Sequence, residues 1–285
     1  GLEPCAMLGF TLAVDFEGDQ WTFFKPPLAE VRTLYGIAVQ ELTVWRPLIE
    51  HAQEHLAAGK LISTESDAYW LPDTAGTDYR RKHTKTTILL ADLDMAGQRL
   101  GYFHNAGYFV LSGEDFRQTF RLDAPPDPAF MPLFAELVRI DRLQRRPASE
   151  LGVIAWDLLR LHHAWRPRSN PFVRFAARLA QDMPQMKAHG IDHYHAWAFA
   201  SIRQAGAAFE LGAAHLRWLS QQGRGDLADA AQCFEAIGQA NKALILKGAR
   251  AAVSGKPLGA DDLLEGMAGD WEKGMTLLSK ALAAG

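Results

Sequence analysis

The run Asp123-Ala-Pro-Pro-Asp-Pro128 most constrains what this chain can fold into. Proline fixes φ and removes a backbone donor, so neither a helix nor a central strand crosses such a run. The texture changes at the same place. Residues 1–130 carry a charge balance of −7 and residues 131–285 one of +4. A boundary is therefore expected there, with an N-terminal domain over 1–125 and a C-terminal domain over 131–285. A length of 285 residues suits two domains.

Before the break the pattern is mixed. Leu28–Tyr35 and Pro47–Gly59 have helical spacing, and the second closes on Ala57-Ala58-Gly59, a helix stop. Leu61–Leu71, Lys85–Ala91, Arg99–His104 and Gly107–Leu111 read as strands separated by turn residues. Thr84, Thr86 and Ile88 alternate with Lys85, Thr87 and Leu89, as a half-buried strand does. Strands this close in sequence predict an antiparallel meander. After the break only helices are expected: Leu133–Arg145, Ser149–Trp165, Pro171–Lys187, Ile191–Ser220, Asp226–Ser254 and Asp261–Ala284. Asn170-Pro171 is a cap followed by proline at the first helical position. The fold class is α+β, an antiparallel sheet domain followed by an all-helical bundle.

Several function classes are excluded or disfavoured. A net charge of −3 gives no general case for nucleic acid. No apolar run is long enough for a membrane-spanning helix, and Pro4–Val14 is too short and lacks the basic flank of a signal peptide. Cys5 and Cys233 make no disulfide framework and suit a reducing, cytoplasmic setting. His189 and His193 are four apart but separated by Gly190, and His162-His163 adds no ligand spacing, so no metal is expected. Asp15, Glu17 and Asp19 lack the spacing of a calcium loop and read as a turn. Trp156, Trp165, Trp197, Phe199 and Trp218 recur at helical spacing and are expected in the core. Neither cysteine looks like a nucleophile: Cys233 lies mid-helix among apolar neighbours, and Cys5 fits a small core position.

One constellation can carry chemistry. His83 opens a strand, and Tyr102-Phe-His-Asn105 ends a later one. A side-chain oxygen that holds an imidazole Nδ1–H leaves Nε2 free as a base for a thiol or hydroxyl. His83 is the leading base with Asn105 as its orienter, and His104 competes for the base role. The same residues also fit a strand-edge histidine beside Arg81, Lys82 and Lys85, and an Asn105-Ala-Gly107 turn.

Phe10–Pro26, Tyr69-Trp-Leu-Pro-Asp-Thr-Ala-Gly76, His83-Thr-Lys-Thr-Thr87 and Leu100–Phe109 resemble an uncharacterised bacterial family catalogued as domain of unknown function 1839. That family is remotely similar to papain-like acyltransferases of the butirosin biosynthesis H type. The resemblance implies a papain-like (cysteine-protease-like) antiparallel sheet domain. It implies a cysteine-dependent acyl or aminoacyl transferase that takes its acyl group from a carrier-protein thioester and gives it to an amine. His83 would be the base and Asn105 or His104 its orienter. Asp73 would lie at the rim of the site, with Asp19, Gln20 and Trp21 as further substrate-binding candidates. The nucleophilic cysteine of such proteins precedes the Phe10–Trp21 segment, so it is expected upstream of Gly1. No cofactor is implied, and the +4 half is a candidate docking face for an acidic carrier. An amide or thioester hydrolase of the same fold, or a non-catalytic carrier or small-molecule binding module, are the alternatives.

Overall fold

A computed structural model describes residues 2–125, 129 and 131–284. The proline-rich break falls partly on 126–128, outside the described residues. The chain divides into two compact units, one of residues 1–34 and 145–285 and one of residues 35–144. The expected split at 125/131 cuts it differently. Residues 2–34 pack among the helices, and 131–144 join the sheet unit.

The helical unit begins with a 3₁₀ segment, Pro4–Ala13, whose entry is capped by the Glu3 carboxylate on the Cys5 N–H. A two-residue hairpin follows, β1 (Phe16–Glu17) and β2 (Gln20–Trp21), and then α1 (Leu28–Tyr35). The 3₁₀ segment is clasped by later helices. A Cβ on Gly212 would lie 2.4 Å from Leu12 Cδ2, so only glycine permits this approach.

In the sheet unit, β3 (Ala38–Glu41) and α2 (Leu48–Ala57) lead into β4 (Leu61–Asp67), β5 (Lys85–Asp94), β6 (Arg99–His104) and β7 (Gly107–Ser112). The short helix α3 (Gly113–Thr119) and β8 (Ala135–Arg139) complete it. The order is β3-β8-β4-β5-β6-β7, with every neighbouring pair antiparallel. The meander β4 to β7 matches the sequence expectation. The helix expected over Leu133–Arg145 is instead β8. Leu133, Phe134, Leu137 and Val138 have helix-like spacing, but β3 and β4 bind this segment on both edges, and ladder pairing overrides propensity.

One face of this sheet is buried. Ile62, Ile88, Leu90, Leu100, Tyr102 and Leu111 form its core with Ile49 and Ala52 of α2, Leu71 and Phe116 of α3. Each fully buried aliphatic or aromatic side chain is worth about 1.5–3 kcal/mol. Toward one end the face turns polar, through Ser66 on β4, Thr86 on β5 and His104 on β6.

The helical unit continues through α4 (Ala148–Ala164), α5 (Pro171–His189), α6 (Ile191–Ala200), α7 (Ile202–Gln221), α8 (Ala228–Ser254) and α9 (Asp261–Ala284). The single helix expected over Ile191–Ser220 is broken at Ser201, whose backbone departs from helical geometry with φ −115° and ψ −77°. Asn170 caps α5 through its side-chain oxygen on the Phe172 N–H. Of the aromatics expected inside, Trp156 and Trp218 are buried, whereas Trp165 and Phe199 are exposed. Among the described residues no helix is long and apolar enough to cross a membrane.

Candidate functional site

The polar end of the buried sheet face is organised by the loop between β4 and β5. Asp67 caps a 3₁₀ turn by accepting from the Tyr69 N–H. Leu71 anchors the loop in the core, and Pro72 starts a second 3₁₀ turn that carries Asp73. The Thr74 hydroxyl ties this turn to the Ala68 and Leu71 carbonyls, both at 2.9 Å. Farther along, the Arg80 guanidinium sits over the Trp70 ring and pairs with Asp115 Oδ1 at 2.6 Å. The loop is thereby pinned at both ends, which fixes the direction of the Asp73 carboxylate.

Asp73 makes two strong contacts. Its Oδ2 lies 2.6 Å from His104 Nδ1, and its Oδ1 accepts from the Tyr102 hydroxyl. Burial and the adjacent Asp73 charge hold that phenol protonated. The His104 and Asp73 side chains are only 5% and 3% exposed, so this pair is screened from water. With Nδ1–H directed at the carboxylate, Nε2 carries the lone pair. Thr86 Oγ1 lies 2.8 Å from Nε2, and in the neutral tautomer with its proton on Nδ1 the hydroxyl donates to it. The result is a carboxylate, an imidazole and a hydroxyl in line, the polarity that activates a hydroxyl nucleophile. Thr86 itself is half-buried. Ser66 stands directly across the ladder from Thr86, and its buried hydroxyl has no hydrogen-bond partner among the described residues.

The sequence-derived candidates fall in different places. His83 is bonded through Nδ1 to Asp67 Oδ2 at 2.6 Å and stacked on the Tyr69 ring at 4.3 Å, with its side chain 70% exposed. Its orienter is thus Asp67, not Asn105. The β5–β6 register pairs Leu90 with Tyr102 and Leu89 with Phe103, which sets residue 105 opposite residue 87. At ~3.3 Å per residue that is roughly 13 Å along the strand from residue 83. Asn105 occupies the β6–β7 hairpin turn with φ 51°, the left-handed geometry that asparagine tolerates. Its amide nitrogen lies 3.5 Å from His104 Nε2.

Asp73 was expected at a rim; the structure buries its carboxylate behind His104 and Tyr102. Trp21 was expected to meet substrate. It is buried against Phe172, Phe175 and Phe209, with ring centroids 4.9, 5.6 and 6.5 Å away. Asp19 and Gln20 are exposed on the β1–β2 hairpin and border a small cavity of about 160 Å³ with Arg178, Asp182 and Trp197. Both Cys5 and Cys233 belong to the helical unit. Burial pushes both thiols up, and at Cys5 the neighbouring Glu3 carboxylate adds to the effect. Among the described residues no group of three or more His, Cys, Asp or Glu side chains could hold a metal ion.

Thr86 and Asp67 were not singled out by sequence reasoning. The strand alternation did place Thr86 on the same face as Ile88, and that was the available signal.

The model of the DUF1839 N-terminal domain matches residues 1–140, and that of the DUF1839 C-terminal domain matches residues 148–280. The chain belongs to the DUF1839 family. No curated protein matches it significantly. The function of the DUF1839 family is unknown. Both aspartate–histidine pairs, Asp73–His104 and Asp67–His83, fall within the part matched by the DUF1839 N-terminal domain.

Proposed function

We propose that the sheet unit is the catalytic part of an acyl- or aminoacyltransferase on a papain-like scaffold, with His104 as general base, Asp73 as its orienter and Thr86 as nucleophile. The observation that carries this reading is the continuous line from Asp73 Oδ2 through His104 to Thr86 Oγ1, at 2.6 and 2.8 Å. The donor class, a carrier-protein thioester, and the amine acceptor come from the resemblance to butirosin-type acyltransferases. The cysteine-dependent form of the reaction finds no support in Cys5 or Cys233, whose thiols are pushed up rather than down.

In the first half-reaction Thr86 Oγ attacks the thioester carbonyl while its proton passes to His104 Nε2. The C–S bond breaks, and the departing thiolate takes that proton from the imidazolium. In the second, the amine attacks the threonyl ester, loses a proton to Nε2, and the proton returns to Thr86 Oγ as the C–O bond breaks. Asp73 stabilises the imidazolium in both halves. The Asn105 amide, beside Nε2 on the exposed hairpin, is a further donor for the developing oxyanion.

The test is mass spectrometry of the full chain after incubation with an aminoacylated carrier protein. An acyl adduct on the peptide containing Thr86 is expected, lost in Thr86→Val and kept in Thr86→Ser. Failure to acylate, or an adduct unchanged in Thr86→Val, overturns the assignment. Release of the acyl group that an added amine does not accelerate would make the protein a hydrolase.

A further inference from the structure

In the helical unit, the loop joining α4 to α5 and the middle of α9 border an open cavity of about 390 Å³. Arg166, Arg168, Glu272 and Thr276 supply most of its polar lining. Its chemistry is one-sided. Arg168 is exposed and has no hydrogen bond or ion pair among the described residues. Arg166 donates only to the backbone carbonyl of His163, at 2.7 Å, and meets no carboxylate. The one acid of the lining, Glu272, accepts from Asn170 Nδ2 at 3.3 Å.

Trp271 contributes an apolar wall: it is only 4% exposed. The two guanidinium groups and the Thr276 hydroxyl are donors, and none of them has an acceptor side chain among the described residues. A neighbouring cavity of about 700 Å³ shares Arg166 and Arg168, but Asp15 and Glu17 line it, and Asp15 already holds Arg174. The smaller cavity is the better anion site.

We propose that this cavity binds the phosphate group of a small phosphomonoester. Guanidinium groups match phosphate oxygens in geometry as well as charge. Three terminal oxygens can use more donors than a carboxylate can. The volume exceeds that of a bare ion and lies at the lower end of small-ligand sites.

Calorimetric titration of the full chain with glycerol 3-phosphate, at fixed ionic strength, tests the proposal. Saturable binding is expected, weakened about tenfold or more by Arg168→Ala and only partly by Arg168→Lys. Arg203→Ala, on α7 beside Phe199, should leave it unchanged. Absence of saturable binding overturns the proposal. So does equal binding of sulfate, or wild-type affinity in an Arg168→Ala protein that keeps the parent melting temperature. The outcome is independent of the acyl-transfer reading, because none of these residues takes part in it.

Discussion

The sheet unit holds two aspartate–histidine pairs of equal length and opposite character. Asp67–His83 and Asp73–His104 both close at 2.6 Å through Nδ1. The first has side chains 70% and 36% exposed for histidine and aspartate, the second 5% and 3%. Water screens the first pair, and among the described residues its imidazole has no hydroxyl or thiol bonded to Nε2. The second is desolvated, held by Tyr102 on the carboxylate and set against a hydroxyl. Distance alone does not distinguish a base from a surface ion pair; burial and the group waiting at Nε2 do.

The sharpest way to break this comparison is kinetic. His104→Ala should lower acyl transfer by about 10²–10⁴-fold, the usual worth of a general base, while His83→Ala should cost less than about threefold. Reversal of that order in steady-state rates would return the base to the exposed pair.

Stability should separate the pairs next. Asp73→Ala leaves His104 and Tyr102 buried without their acceptor and should cost about 3–5 kcal/mol. Asp67→Asn keeps an oxygen for the Tyr69 N–H and removes only the charge facing the exposed His83, and should cost under about 1 kcal/mol. Guanidinium denaturation of the two variants measures both, and similar midpoints would contradict the contrast in burial.

A third histidine extends the series. His215, on α7, is fully buried with Nδ1 on the Cys5 carbonyl and no carboxylate partner. Burial pushes it down to about 4. Its folded pKa is below its unfolded value near 6.5, so the unfolded chain binds the proton first. Its stabilising contribution is whole above pH 6.5 and is lost as pH falls toward 4, with a slope of at most about 1.4 kcal/mol per pH unit. Denaturation across that range should show the stability difference between wild type and His215→Gln changing with that slope, because His51 and His163, which burial also lowers, are common to both.

The smallest effect concerns salt. The stability difference between wild type and Asp67→Asn should shrink toward zero at molar salt, where the screening length is ~3 Å. The penalty of Asp73→Ala should persist, because the pair it removes is out of reach of ions. Denaturation curves at low and high salt decide it.

Much of the sheet was legible because its strands are local and alternate cleanly, and the Asn105 hairpin announced itself through turn chemistry. His104 was visible as a candidate at the end of β6. Its partner was not. Asp73 sits in a polar loop that reads as rim, and nothing local shows that Thr74 and Arg80 fold the loop inward. Trp21 looked available next to two exposed polar residues, yet helices distant in sequence supply the aromatic neighbours that bury it.

The amino-acid order by itself determined the α+β class, the β4–β7 meander, most helix limits and the presence of chemistry-bearing residues near His83 and His104. These follow from periodicity, capping and turn propensities, which act within a few residues. Tertiary structure alone decided that Leu133–Arg145 contributes β8, that residues 2–34 pack with the helices, and which histidine is desolvated against a hydroxyl. Those outcomes depend on ladder pairing and burial between segments far apart in sequence, and no local pattern encodes the loss of water around a side chain.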